Sequence, residues 1–232
     1  VFLPIFYYLV HDLGATAFFG LAAIAGMLAA GEFYRLHLGQ APWPWWCWLG
    51  VGATGLLISS AQWPTLVTDR AVLLGTLSIA LCMPLLSGKS LRDSLTDGMV
   101  LVMGVLYLGL TLSYLVLTRG LPDGALLIFF VFLVTWAGDT GAYVAGKSMG
   151  RHALAPVISP KKTYEGLAGG LVLACLMAVV ARAWFLPAFS LVDCLALGMI
   201  LTITGLIGDL AESAMKRSAG FKDPGALIPG HG

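Results

Sequence analysis

Residues 124–146 read GALLIFFVFLVTWAGDTGAYVAG, a run of 23 positions whose only charge is Asp139. About 20 apolar residues carry a helix across the hydrocarbon core of a bilayer, so this stretch predicts a transmembrane helix. Comparable stretches lie near 14–34, 43–61, 71–87, 99–117, 166–186 and 191–210. Residues 1–10, VFLPIFYYLV, are as apolar but would rise only about 15 Å as a helix. With no initiator Met ahead of them, they are expected to be a first span that has been cut. The composition agrees, since 59% of the 232 residues are hydrophobic and 11% charged, with a mean hydropathy of +0.90. A soluble domain carries about 25% charged residues, and disorder needs low hydrophobicity, so both are excluded. The expected fold class is an all-α polytopic membrane protein of about eight transmembrane helices with a polar site on the cytoplasmic side. The expected organisation is one membrane-embedded domain over 1–232, truncated at both ends. Residues 1–135 supply the N-terminal spans and residues 136–232 the half that carries the motifs.

Orientation follows from the loops. Counting the cut segment as a span, one side collects ten cations: Arg35, Lys89, Arg92, Lys147, Arg151, Lys161, Lys162, Lys216, Arg217 and Lys222. The other side holds three, Arg70, Arg119 and Arg182. Cytoplasmic loops carry the excess of Lys and Arg, which puts the 147–165 loop and the C-terminal segment in the cytoplasm of a bacterial-type inner membrane. Trp43, Trp45, Trp46 and Trp48 cluster where a span begins and read as an interfacial belt. The net charge of +1 offers no field for nucleic acid. Cys47, Cys82, Cys175 and Cys194 all sit in apolar stretches at spacings unlike a metal site, and read as thiols buried in helices.

Charge is concentrated in two short segments. Residues 139–165 and 209–223 each hold six of the 25 charges, whereas residues 166–208 hold two. In the second segment Asp209, Glu212, Ser213 and Lys216 fall at i, i+3, i+4 and i+7, so one helix face carries all four. Two readings stay open there. One is an ion-paired helix end whose Lys216 and Arg217 suit the helix dipole. The other is a hard-cation site, because Mg²⁺ takes one or two carboxylates and leaves its remaining positions to water and phosphate. Asp209 and Glu212 are the carboxylates on which such a site would draw, for one cation or two. In the first segment Asp139 is an intramembrane acid, sharing a helix face with Thr135 and Tyr143; such acids are functional candidates by default. Ser159 followed by Pro160 reads as the N-cap and first turn of the next helix. Its free N–H groups, with Lys161 and Lys162, would make an anion cradle; headgroup anchoring is the plainer role for the two lysines.

Three pattern matches are set aside. Gly141 to Ser148 satisfies the P-loop spacing and Gly50 to Gly55 the dinucleotide fingerprint, but both lie in apolar spans with no strand before them. Gly166 and Gly170, opening a span, read as a place where two helices approach closely.

The stretch SAMKRSAGFKDPGALIPGHG, residues 213–232, together with WAGDTGAYVAGKSMGR and ISPKKTYEGLAGG within 136–170, resembles phosphatidate cytidylyltransferases, the CDP-diacylglycerol synthases. Glu32 to Leu36, after an early span, is similar as well. The resemblance implies transfer of CMP from CTP to phosphatidic acid, giving CDP-diacylglycerol and pyrophosphate for phospholipid synthesis, with Mg²⁺ as cofactor. It implies catalytic roles for Asp209, Ser213, Lys216 and Arg217, with Asp209 on the metal. Substrate contacts would come from Asp139, Ser159, Lys161, Lys162, Glu165, Lys222, Asp223 and His231. The implied partners are CTP, phosphatidic acid and membrane lipids, with a homodimer as a further expectation. The family's motif continues past His-Gly with G-x-x-D-R-x-D, whose first aspartate is a metal ligand, whereas this sequence stops at Gly232; the chain is therefore expected to be a fragment. The alternatives are a CTP-dependent lipid or polyprenol kinase and a transporter. A transporter should show inverted repeats, and none is visible.

Overall fold

A computed structural model describes Val10, residues 14–38 and residues 42–218. The described elements are α1 (Ala15–Leu38), α2 (Trp45–Gln62), α3 (Asp69–Leu86), α4 (Leu91–Gly104), a π-helical segment (Val105–Leu110), α5 (Thr111–Arg119), α6 (Gly124–Met149), strands β1 (Ala153–Ala155) and β2 (Ser159–Thr163), α7 (Tyr164–Trp184) and α8 (Leu191–Ser218). Six helical stretches are long and apolar enough to cross a membrane: α1, α3, the continuous run Leu91–Arg119, α6, α7 and α8. Each falls where the sequence predicts a span. The seventh predicted span is also a helix, α2, but three tryptophans, two serines and a terminal glutamine lower its hydropathy. The expected first span, residues 1–10, lies outside the described residues apart from Val10. The expectation of about eight spans thus resolves, among the described residues, into six that qualify by length and composition.

The described residues divide into two compact units, one up to Gly124 and one from Ala125. Residue 136, where the motif-bearing stretch begins, lies inside α6.

In the first unit, α1 and α2 pack around Ala30, Tyr34, Trp46 and Cys47, joined by Ala80, Met83 and Leu101. Tyr34 donates its hydroxyl proton to the Leu101 carbonyl at 3.2 Å. A Cβ added at Gly104 would come within 2.6 Å of that hydroxyl, and one at Gly50 would strike it as well. Small residues at such points are what bring helix backbones close in a membrane. Trp46 is 1% exposed and meets Tyr34 edge-to-face at 5.6 Å. It is therefore a core residue, which corrects its reading as part of an interfacial belt; Trp45 and Trp48 remain exposed. Cys47 and Cys194 are buried, Cys175 is half-buried and Cys82 is exposed, all as free thiols.

In the second unit, α6, α7 and α8 pack through Phe130, Val134, Ala174, Ala178, Ala181, Leu186 and Cys194. Glycines set the spacing of α6 and α7. A Cβ at Gly141 would stand 2.5 Å from the Gly169 carbonyl oxygen, and one at Gly170 would stand 3.0 Å from that of Gly138. The P-loop-like residues Gly141 to Ser148 lie inside α6, and the fingerprint-like glycines at 50–55 inside α2.

Between α6 and α7 the helical fold is interrupted by one short antiparallel hairpin, β1 and β2, with Ala153 opposite Thr163 and Ala155 opposite Ser159. One expectation is corrected there. Ser159 and Pro160 do not open the next helix; they lie in β2, and α7 begins at Tyr164. The cap is Thr163, whose hydroxyl accepts from the Gly166 N–H at 3.1 Å. Ser159 and Thr163 offer the same capping chemistry, and the strand pairing decides between them. Pro160 is tolerated because an edge strand can spare one N–H.

Candidate functional site

Within the second unit, α6, the hairpin, the start of α7 and the second half of α8 enclose a cavity of about 340 Å³. The α6 wall presents Thr135, Asp139 and Tyr143, the helix face picked out in the sequence. The α8 wall presents Leu201, Thr202, Gly205, Leu206 and Asp209. The hairpin adds Lys161, Lys162 and Thr163 at the mouth.

Two carboxylates and two ammonium groups thus line one volume. Lys162 Nζ stands 2.7 Å from Asp209 Oδ2 and ties β2 to α8. The Asp209 side chain is 60% exposed, which leaves lone pairs for another partner. Lys161 has no ion-pair partner among the described residues and is exposed. The threonines spend their hydroxyl protons on their own helices, Thr135 on the Val131 carbonyl at 2.8 Å and Thr202 on the Gly198 carbonyl at 2.8 Å. Their oxygens remain available as acceptors.

Of the residues singled out from the sequence, the cavity gathers Asp139, Lys161, Lys162 and Asp209. It does not gather Glu212, Ser213, Lys216 or Arg217, which follow Asp209 along α8. Glu212 pairs with Lys216 at 2.7 Å, one turn along the same helix, the arrangement of an ion-paired helix end. Ser159 and Glu165 also lie off the lining. Glu165 instead accepts from the backbone N–H of Arg151 at 3.1 Å and of His152 at 3.3 Å, and from His152 Nδ1 at 2.5 Å. Lys222, Asp223 and His231 lie outside the described residues.

Thr202 was missed, although its place was legible, since it precedes Asp209 by seven residues and so shares its helix face. His152 was missed because nothing in its own surroundings marks it; its partner is 13 residues away. A second polar cluster, in the first unit, was missed for the same reason. Asp97 on α4 binds Lys89 Nζ at 2.6 Å and His37 Nε2 at 3.2 Å, and its side chain is 6% exposed.

Among curated proteins, the phosphatidate cytidylyltransferases of Staphylococcus saprophyticus subsp. saprophyticus and Staphylococcus haemolyticus are each 43% identical over 141 residues, covering 61% of this chain and 54% of theirs. That of Staphylococcus aureus strain COL is 42% identical over 143 residues, again 61% of this chain and 54% of its own. The chain therefore aligns with about half the length of the curated relatives it matches. The model of the cytidylyltransferase family matches residues 1–232. With that match over its whole length, and with acids and lysines gathered in one cavity, the chain belongs to the cytidylyltransferase family.

Proposed function

We propose that the protein transfers CMP from CTP to phosphatidic acid, giving CDP-diacylglycerol and pyrophosphate, at a site facing the cytoplasm in a bacterial-type inner membrane. The observation that carries this reading is the convergence of Asp139, Asp209, Lys161 and Lys162 on one cavity in a chain of this family. The names of the staphylococcal relatives supply the substrate class.

The phosphate oxygen of phosphatidic acid attacks the α-phosphorus of CTP. The bond from that phosphorus to the bridging oxygen breaks, and pyrophosphate leaves with the electron pair. Such a transfer needs positioning and charge neutralisation more than proton chemistry. Lys161 and Lys162 act as point charges for phosphate oxygens. The donor set fits a hard cation, because two carboxylates line one cavity and the other coordination positions stay open to water and phosphate. Asp139 and Asp209 would hold Mg²⁺, which when bound neutralises charge on the nucleotide phosphates. Ser213, Lys216 and Arg217, to which the resemblance gives roles in the reaction, follow Asp209 along α8.

The direct test is product analysis in detergent with CTP and phosphatidic acid, with and without Mg²⁺. CDP-diacylglycerol and pyrophosphate are expected only with the metal; release of CDP would indicate phosphoryl transfer and overturn the reading in favour of a lipid kinase. Sidedness is tested by cysteine labelling after the four native cysteines are replaced by alanine. A cysteine at Ser148 should label from the cytoplasmic face and one at Leu121 from the opposite face. Leu121 is chosen because Asp123, in the same turn, has a φ of 57°, a conformation that disfavours most substitutions.

A further inference from the structure

We propose that the Glu165–His152 contact is a latch that positions the Lys161–Lys162 hairpin over the cavity, so that Glu165 and His152 are positioning residues for the transfer reaction and not substrate contacts. The kinetic part of this proposal rests on the reaction proposed above.

The Glu165 carboxylate is already filled from its own side of the fold. One oxygen accepts the Arg151 and His152 backbone N–H groups at 3.1 and 3.3 Å, and the other faces His152 Nδ1 at 2.5 Å. A carboxylate only accepts, so Nδ1 carries the proton of that bond. The Tyr164 N–H adds a fourth tie, to the His152 carbonyl at 3.0 Å. Residues 151–152 lead into β1, and residues 164–165 follow β2. The four bonds therefore clamp the two open ends of the hairpin together.

The hairpin needs such a clamp. A two-stranded ribbon is marginal in water by itself, and this one pairs only three residues against five, with an irregular register between Ala153 and Ala155. Its second strand carries Lys161 and Lys162 to the cavity mouth, where Lys162 reaches Asp209. The His152 side chain is 76% exposed, so packing does not hold the ring. Its place is set by Glu165, which in turn is anchored in the first turn of α7. Loosening the latch would leave the lysines present but poorly placed, and a small misplacement of positioning groups is expensive in catalysis.

The test uses the 232-residue chain purified in detergent and reads two things. The first is tryptic cleavage after Lys161 and Lys162, which His152→Ala should accelerate about tenfold, because local opening governs cleavage. His152→Asn, whose side-chain amide N–H can replace Nδ1–H, should restore most of the protection. The second is kinetics: His152→Ala should raise KM for CTP about tenfold with kcat within about twofold, and should add little in a Lys162→Ala background, since residues acting through one another are non-additive. Unchanged cleavage in His152→Ala overturns the latch. So do additive effects of His152 and Lys162 on KM, which would make Glu165 and His152 independent contacts. The cleavage rates decide the latch whether or not the unaltered chain forms CDP-diacylglycerol, whose formation is decided by the product analysis above.

Discussion

Asp97 and Asp209 are both aspartates on helices, each gripped by a lysine, at 2.6 and 2.7 Å respectively. Asp97 is closed on its second side by His37, at 3.2 Å, and its side chain is 6% exposed. Asp209 is 60% exposed, meets a single cation among the described residues, and lines a cavity that a second acid also lines. The same pair of residue types is thus a finished clamp in the first unit and an open valence in the second. Asp97 joins the end of α1 and the turn before α4 to α4 itself, with a cation or ring nitrogen on each oxygen and almost no surface left to a ligand. What separates a structural ion pair from a site is unspent hydrogen-bonding capacity beside empty volume, and density of charge alone does not show it.

The largest expected effect that would break this comparison is on turnover. Asp209→Asn keeps shape and removes the charge a hard cation requires, and should slow the reaction about a hundredfold while leaving thermal stability in detergent unchanged. Normal turnover with unchanged Mg²⁺ dependence would make Asp209 as structural as Asp97. Asp97→Asn should behave in the opposite way, lowering stability by about 2 kcal/mol, since a nearly buried carboxylate is lost between two partners that are themselves partly exposed. Thermal unfolding in detergent measures it, and a loss of turnover without loss of stability would place Asp97 in a site after all. Lys161→Ala should raise KM for CTP about tenfold, and Lys161→Arg should restore it only in part, because a guanidinium does not reproduce a compact point charge. Full activity in the alanine variant would return Lys161 to headgroup anchoring. The smallest effect is expected of Glu212→Gln, which disturbs only the exposed i,i+4 pair with Lys216, worth about 0.5 kcal/mol. A rate loss as large as that of Asp209→Asn would instead bring Glu212 into the metal site.

The helices were legible in the sequence because each is a long apolar run, and in a membrane a span must satisfy its own backbone. Half of the cavity was legible for a related reason: Asp139 and Asp209 are acids next to hydrocarbon, where an acid stands out. Lys161 and Lys162 were found too, but on the wrong element. Ser159–Pro160 carried a sound capping signal, and only the pairing of Ser159 with Ala155 shows that the backbone there is extended. The interactions that went unseen are those assembled from distant segments. His37, Lys89 and Asp97 come from three stretches that share no periodicity, and His152 meets Glu165 across a hairpin that a three-residue strand gives little reason to expect. Trp46 was placed with its neighbours in an interfacial belt because composition cannot say which of adjacent tryptophans turns inward against Tyr34.

The glycine contact between α6 and α7 bears on what the cavity can admit. Where two helices touch through bare backbone, as Gly141 does with the Gly169 carbonyl, there are no side-chain rotamers to give way, so those two walls form an incompressible edge. The facing wall differs: a Cβ added at Gly205, which lines the cavity, or at Gly208 would meet nothing within 4 Å. Bulk added at Gly205 would therefore narrow the cavity one turn from Asp209 without parting any helices, whereas bulk at Gly141 would force α6 and α7 apart.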